Sequence, residues 1–199
     1  MVQMKELINE QWVAWGIGAL LLVVLFWLAI RAFKRYRIRL RRAQLDPRKM
    51  TIADIDDMEG AEFERYLLRL FSELGYDDVE KTKDSSDFGA DLVFTDRLGV
   101  RNVLQAKRYQ ANQAIGLDAV QEVYGSMRYY DAERSIVLTT AGRFTSSCIT
   151  LAGVNDVSLL GRDELLMIVR HFKSGRHDDA MDVIESEAES LRSPWKQGK

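Results

Sequence analysis

Residues 91–109, DLVFTDRLGVRNVLQAKRY, decide how the chain is read. Two strand-like runs flank Arg97-Leu98-Gly99, a three-residue loop ending in glycine, which predicts a β-hairpin. The loop sets the register: Asp96 pairs with Val100, Val93 faces Val103, and Asp91 faces Gln105. Side chains alternate along a strand, so Lys107 projects from the same face as Gln105. That face therefore gathers Asp91, Gln105 and Lys107 within about 5–8 Å. The other face, with Leu92, Phe94 and Leu104, is expected to pack into a core. A slip of one residue would turn every one of these side chains over. The polar residues of LQAKRY, 104–109, thus interrupt a buried, central strand because they line a site.

The flanking sequence supplies the layers around this hairpin. From Gly60, the spacing Phe63, Leu67, Leu70, Phe71, Leu74 is helical, and Gly75 stops it. A short strand-like piece, 79–83, and a polar turn, 84–89, lead into Asp91. After the hairpin come an amphipathic helix over 117–130, a buried strand over 135–140, and a helix over 144–152. A strand over 157–160 follows, and Asp163 is expected to cap a last helix ending near Phe172. This order implies an α/β domain, αβββαβ at its core, with central strands covered on both faces.

Composition removes several classes of chemistry. Of 199 residues, one is cysteine, so neither an internal disulfide nor a cysteine-cluster metal site can form within the chain. The only histidines, His171 and His177, lie in a polar stretch near the C-terminus, which argues against histidine-based triads and zinc sites. Catalysis would have to run on carboxylates, lysine and a hard cation. The net charge of −2 divides into −1 over residues 1–30, +8 over 31–49 and −9 over 50–199. The acidic globular part counts against a surface that coats nucleic acid.

Trp12–Ile30, WVAWGIGALLLVVLFWLAI, carries no charged residue. At 1.5 Å per residue its 19 positions span about 28 Å, the thickness of a bilayer's hydrocarbon core. Trp12, Trp15 and Trp27 lie toward its ends, and nine Lys/Arg follow it over 31–49. The positive-inside bias then predicts an extracytoplasmic N-terminus, 1–11, and a cytoplasmic remainder. The expected organisation is a transmembrane helix over 12–30, a basic juxtamembrane linker over 31–50, one domain over 51–172, and a polar tail over 173–199. The localisation is the cell membrane, single-pass, with the C-terminal domain in the cytoplasm. The basic stretch is explained as the topology determinant beside anionic headgroups; contact with nucleic-acid phosphates is its second reading.

A carboxylate, an amide and an ammonium on one surface fit phosphodiester hydrolysis. Asp91 would serve as a ligand for Mg²⁺, which prefers oxygen. Gln105 would add a weaker oxygen ligand or orient a water, and Lys107 would help activate that water or stabilise phosphate charge. A second carboxylate would help hold the metal. The 60–74 helix offers Glu62 and Glu64, and Glu64 borders the face that turns toward the sheet.

The runs FERYLLRLFSELGY, KTKDSSDFGADLVF, VLQAKRY, AVQEVYGSM and IVLTTAGRFT, in this order over roughly residues 58–168, resemble the catalytic domain of Mrr-like type IV restriction endonucleases, in the PD-(D/E)xK nuclease superfamily. The resemblance implies a restriction-endonuclease-like αβββαβ core with a mixed central sheet, preceded here by the transmembrane helix. It implies that Asp91, Gln105, Lys107 and Glu64 are catalytic, with Asp91, Gln105 and Glu64 as Mg²⁺ ligands and glutamine replacing the superfamily's acid. It places Gln121 near the site, and Arg108, Gln121 and Thr140 are the expected nucleic-acid contacts. The implied activity is Mg²⁺-dependent DNA endonuclease, with defence against foreign DNA as its setting. DNA and the membrane are the expected partners, and a homodimer is left open.

Other residues have plainer explanations. Asp87 and Gly89 shape the turn before Asp91, Thr139 and Thr140 suit a strand end, and Arg108 and Tyr109 either touch DNA or leave the strand. Tyr129 and Tyr130 read as helix packing rather than as a platform for bases. On the expected organisation, a membrane helix and basic linker take the place of the separate DNA-recognition domain common in the family. A methyl-directed role is therefore not carried over. The rival readings are a catalytically inactive nucleic-acid-binding module on the same fold and a membrane scaffold whose tail recruits proteins.

Overall fold

The computed structural model describes residues 20–31, 33, 45–82 and 88–192. The chain divides into two units, Met1–Gln44 and Leu45–Lys199. In the first, residues 20–31 are helical (α1), and the apolar side chains Leu20 to Leu28 and Ile30 are exposed. No helix among the described residues is long and apolar enough to cross a membrane. Of the expected span 12–30, residues 12–19 lie outside the described residues, as do 1–11, most of the basic stretch, and 193–199.

The second unit is a five-stranded sheet in the order β1 (Asp77–Lys81), β2 (Leu92–Thr95), β3 (Arg101–Lys107), β5 (Arg134–Thr139), β7 (Val157–Leu160). The first two pairings are antiparallel and the last two parallel, so the sheet is mixed, as expected, and β3 is its middle strand. A two-stranded ribbon of β4 (Ala114–Ile115) and β6 (Arg143–Phe144) was not foreseen; two residues per strand leave no pattern to read.

The hairpin has the expected register, Val93 opposite Val103. Gly99, at φ +79°, donates to the Asp96 carbonyl, and Asp96 N–H donates to Val100. The Asp96 carboxylate closes the turn by accepting from the N–H groups of Leu98 and Val100.

Two apolar layers cover the sheet. On one face, Leu92, Phe94, Leu104 and Ile136 pack with Phe63, Leu67 and Phe71 of α3 (Gly60–Leu74) and Leu165, Ile168 and Phe172 of α6 (Arg162–Lys173). On the other, Val93, Val103 and Val137 meet Val120 and Val123 of α4 (Asp118–Ser126) and Cys148 of α5 (Ser146–Val154). Cys148 is a small buried apolar group, its thiol pushed up to about 11 by burial.

Helix ends follow from capping chemistry. Thr51 and Asp54 form a capping box that opens α2 (Ile52–Asp56). Gly75, left-handed at φ +104°, ends α3 as predicted. The last sheet-covering helix departs from expectation. Asp163 lies in the first turn of α6, while Gly161 precedes the helix and donates its N–H to Glu164 Oε2 at 2.9 Å. A glycine N-cap lacks a side chain, so the nearby aspartate took its place in the sequence reading.

The stretch beyond Phe172 is also more structured than its polarity suggested. A further helix, α7 (His177–Ile184), buries Ala180, Met181 and Ile184 in the α3–α6 layer. Arg97 in the hairpin turn holds it through Asp182 and a bidentate bond to Glu185. At the other end of the unit, Met50 is buried and its carbonyl accepts from Lys173 Nζ, so residues shortly before the expected boundary at 51 are already docked.

Candidate active site

Asp91 stands where the turn before β2 enters the sheet. Its N–H donates to the Leu104 carbonyl at 2.8 Å, and its carbonyl accepts from Thr82 N–H at 3.0 Å. The residue is 6 % exposed, and its carboxylate Oδ2 accepts from Gln105 Nε2 and from the Ala106 backbone N–H, both at 2.7 Å. Bonds to a charged acceptor contribute about 1.5–3 kcal/mol each, enough to fix this buried carboxylate in place. The pairing expected from the hairpin register is therefore made by the side chains themselves.

Gln105, also 6 % exposed, is oriented by that bond. A carboxylate only accepts, so the amide nitrogen must face Asp91 and the amide oxygen must face away from Oδ2. Gln105 Oε1 is buried and has no hydrogen-bond partner. Such an acceptor costs about 1–3 kcal/mol unless something meets it.

Lys107 extends from the same face, and its Nζ lies 2.5 Å from Glu122 Oε2 of α4. Burial alone would lower its pKa. The hydrogen bond and charge of Glu122 outweigh that effect, with Asp91 and Asp118 adding, and the pKa is raised. Lys107 is thus an ammonium at neutral pH, suited to meeting phosphate charge rather than to taking a proton. The end of its strand is held by Thr139, whose hydroxyl donates to the Lys107 carbonyl at 2.6 Å.

Glu122 is not among the residues that the hairpin pattern singles out. It reaches the site because the helix backbone comes close to the turn before Asp91. Gly89 sits at φ +94°, and a Cβ there would lie 2.4 Å from the Glu122 carbonyl oxygen. This glycine shapes the turn, as expected, and also admits α4. A signal was present: Asp118 and Glu122 are an i, i+4 acidic pair on the first helix after Lys107.

The remaining candidates fall in different places. Glu64 pairs with Lys81 at 3.0 Å. Lys81 is opposite Leu92, which faces α3, so Glu64 lies on the sheet face opposite that of Gln105 and Lys107. Glu62 caps its own helix through the Glu59 N–H. Arg108 donates to the Asp56 carbonyl at 2.9 Å, tying the end of β3 to α2. Thr140 is buried, and its hydroxyl accepts from Tyr109 N–H and donates to the Tyr109 carbonyl. Gln121 is exposed on α4 beside Glu122. Tyr129 stacks on Phe88 at 4.0 Å between centroids, and both rings are more than half exposed. Asp87 lies outside the described residues.

A hard cation fits the donors present. Among the described residues there is no cluster of three or more His, Cys, Asp or Glu side chains able to hold a metal. Mg²⁺ does not need one, since it is commonly held by one or two carboxylates with waters and substrate oxygens completing the shell. Asp91 supplies a carboxylate, and the orphaned Gln105 Oε1 supplies a neutral oxygen whose burial is otherwise unpaid.

The sequence also matches a known family. Residues 55–169 match the Mrr_cat family, described as restriction endonuclease. No curated protein sequence matches the chain. Among solved structures, a protein of unknown function, AF1548, is 18 % identical at a TM-score of 0.41, covering 49 % of this chain and 55 % of that one. The DNA modification-dependent restriction endonuclease AspBHI is 21 % identical at 0.42, covering 62 % and 35 %. The MspJI restriction endonuclease, in complex with a 27-mer oligonucleotide, is 19 % identical at 0.39, covering 68 % and 34 %. The chain therefore spans about half of the first of these proteins and about a third of the other two. Family membership rests on the sequence match, which takes in more than half of the chain and all of Asp91, Gln105, Lys107 and Glu122. The chain belongs to the Mrr_cat restriction endonuclease family.

Proposed function

We propose that the folded unit is a Mg²⁺-dependent nuclease of the PD-(D/E)xK type that cuts DNA internally, carried on an N-terminal membrane anchor with the domain in the cytoplasm. The observation that carries the reading is the unpartnered, buried amide oxygen of Gln105, whose amide nitrogen is bonded to the Asp91 carboxylate, with the Lys107 ammonium on the same strand face.

Asp91 and Gln105 would hold the ion, which when bound polarises a phosphoryl oxygen and lowers the pKa of a bound water. The other work belongs to the chain. The N–H of Ala106 and the amide of Gln105 lock the Asp91 carboxylate against rotation. Lys107 supplies a positive charge, pre-set by the strand, where the scissile phosphate gathers negative charge. The buried setting strengthens that interaction relative to water. Arg108 and Thr140 act by holding the strand ends through Asp56 and Tyr109.

The anchor rests on sequence: an uncharged apolar run followed by nine basic residues. The exposed apolar side chains of residues 20–30 support it, since a lipid environment would cover them. A reporter fused after Lys199 should be active only in the cytoplasm; activity outside alone contradicts the orientation. For the activity, covalently closed circular DNA incubated with the full chain and Mg²⁺ should be nicked or linearised, with EDTA abolishing the reaction. Binding of the DNA without any cleavage would favour the inactive-module reading, and neither binding nor cleavage the scaffold.

A further inference from the structure

We propose that Glu122 is the second carboxylate of the cation site, and that in the metal-free protein the Lys107 ammonium stands between Glu122 and Asp91 in the cation's place. The inference rests on reading Asp91 and Gln105 as ligands and extends it to a residue on a different element.

Gln105 is neutral, so the hairpin brings only one negative ligand, Asp91, to a doubly charged ion. Glu64 is the other acid the family resemblance suggests, but it is held by Lys81 on the opposite face. The α4 helix delivers a carboxylate to the correct face. Val120 and Val123 pack against Val103, and Glu122, between them in sequence, meets Lys107 at 2.5 Å. Lys107 and Gln105 share one side of β3, and Gln105 is bonded to Asp91, so both carboxylates lie on the sheet face that carries the ammonium.

Two further observations fix the arrangement. Gly89 leaves no room for a side chain between the turn that leads to Asp91 and the helix backbone at Glu122, so the helix is seated directly against that turn. Gln105 Oε1, on a residue 6 % exposed, faces no protein donor, and an electropositive guest is what such an oxygen lacks. A cation entering between Asp91, Gln105 and Glu122 displaces the ammonium from Glu122. Two carboxylates then balance the ion's two charges, and Lys107 is released toward the phosphate. No bond is made or broken in this exchange.

The test is Mn²⁺ titration of the full chain by calorimetry without DNA. Glu122→Gln should weaken binding about tenfold or more, the scale of losing one supporting ligand. Lys107→Met, which removes the competing ammonium, should tighten it, and Glu64→Gln should leave it alone. Melting of each variant in EDTA confirms folding, and the rise in Tm on adding Mn²⁺ is an independent readout of the same affinities. If Asp91→Asn weakens binding and Glu122→Gln does not, Glu122 is only a tether for Lys107 and the proposal is overturned while the site stands. Weakening by Glu64→Gln with none by Glu122→Gln assigns the second carboxylate to α3 and also overturns it. If Asp91→Asn has no effect either, the reading of the site fails with it.

Discussion

Gln105 donates its amide N–H to Asp91 Oδ2 at 2.7 Å, and that single bond turns its amide oxygen into a buried acceptor with no partner. A glutamine holding a carboxylate in this way cannot satisfy itself, and this imbalance is the strongest sign that the strand face is made for a guest. Gln105→Glu should therefore separate the two states. Without metal, two buried carboxylates would face each other and the protein should lose about 2–4 kcal/mol of stability. Added Mg²⁺ should restore it through preferential binding to the folded state. Chemical denaturation with EDTA and with Mg²⁺ measures both; equal losses in the two conditions would place the cation elsewhere.

Gly89→Ala should be among the costliest single changes at the surface. The left-handed φ costs an alanine about 1–2 kcal/mol, and crowding against the Glu122 carbonyl adds about 1–3. Urea denaturation should show a loss of about 2–5 kcal/mol. Gly99→Ala, at φ +79° in open space, should lose only the first of these terms. Equal losses at the two positions would contradict the close approach of α4.

The Lys107–Glu122 pair predicts a pH signature. The Lys107 pKa is raised in the folded state, so its stabilising effect is complete below the ordinary lysine pKa of 10.5 and disappears as pH rises through the higher folded value. The stability difference between the wild type and Lys107→Met should be flat from neutral pH to about 10 and change only above it. A change between pH 6 and 8 would show that another group controls the pair.

The buried face of α7 offers a test of the fold. Met181→Ala and Ile184→Ala should each cost about 2–4 kcal/mol, because both side chains lie in the α3–α6 layer. Losses below about 0.5 kcal/mol, typical of exposed positions, would detach this helix from the core.

These predictions divide between what the sequence made legible and what it did not. The Asp91–Gln105–Lys107 face was legible because one turn, Arg97-Leu98-Gly99, fixes the register and the register fixes every side chain on the hairpin. Helix α3 was legible from its apolar spacing and its glycine stop. Helix α7 was not, because Ala180, Met181 and Ile184 are scattered among Asp178, Asp179, Asp182 and Glu185. It is tied to Arg97, 88 residues from Glu185, which no local pattern reveals. Glu122 was missed for the same kind of reason: its place follows from the packing of a helix on a glycine-bearing turn, not from the hairpin. The partners of Arg108 and Thr140 were equally hidden, since Asp56 and Tyr109 meet them only through the tertiary fold.

The central claim is that Asp91, Gln105 and Lys107 form a metal-dependent cleavage site. The most direct measurement is the initial rate of Mg²⁺-dependent nicking of closed circular DNA by the wild type and by Asp91→Asn, Gln105→Leu and Lys107→Met, with folding of each checked by melting. The account predicts a loss of at least about a hundredfold for the aspartate and lysine variants and a smaller but clear loss for the glutamine variant. Undiminished nicking by folded Asp91→Asn and Lys107→Met would contradict it.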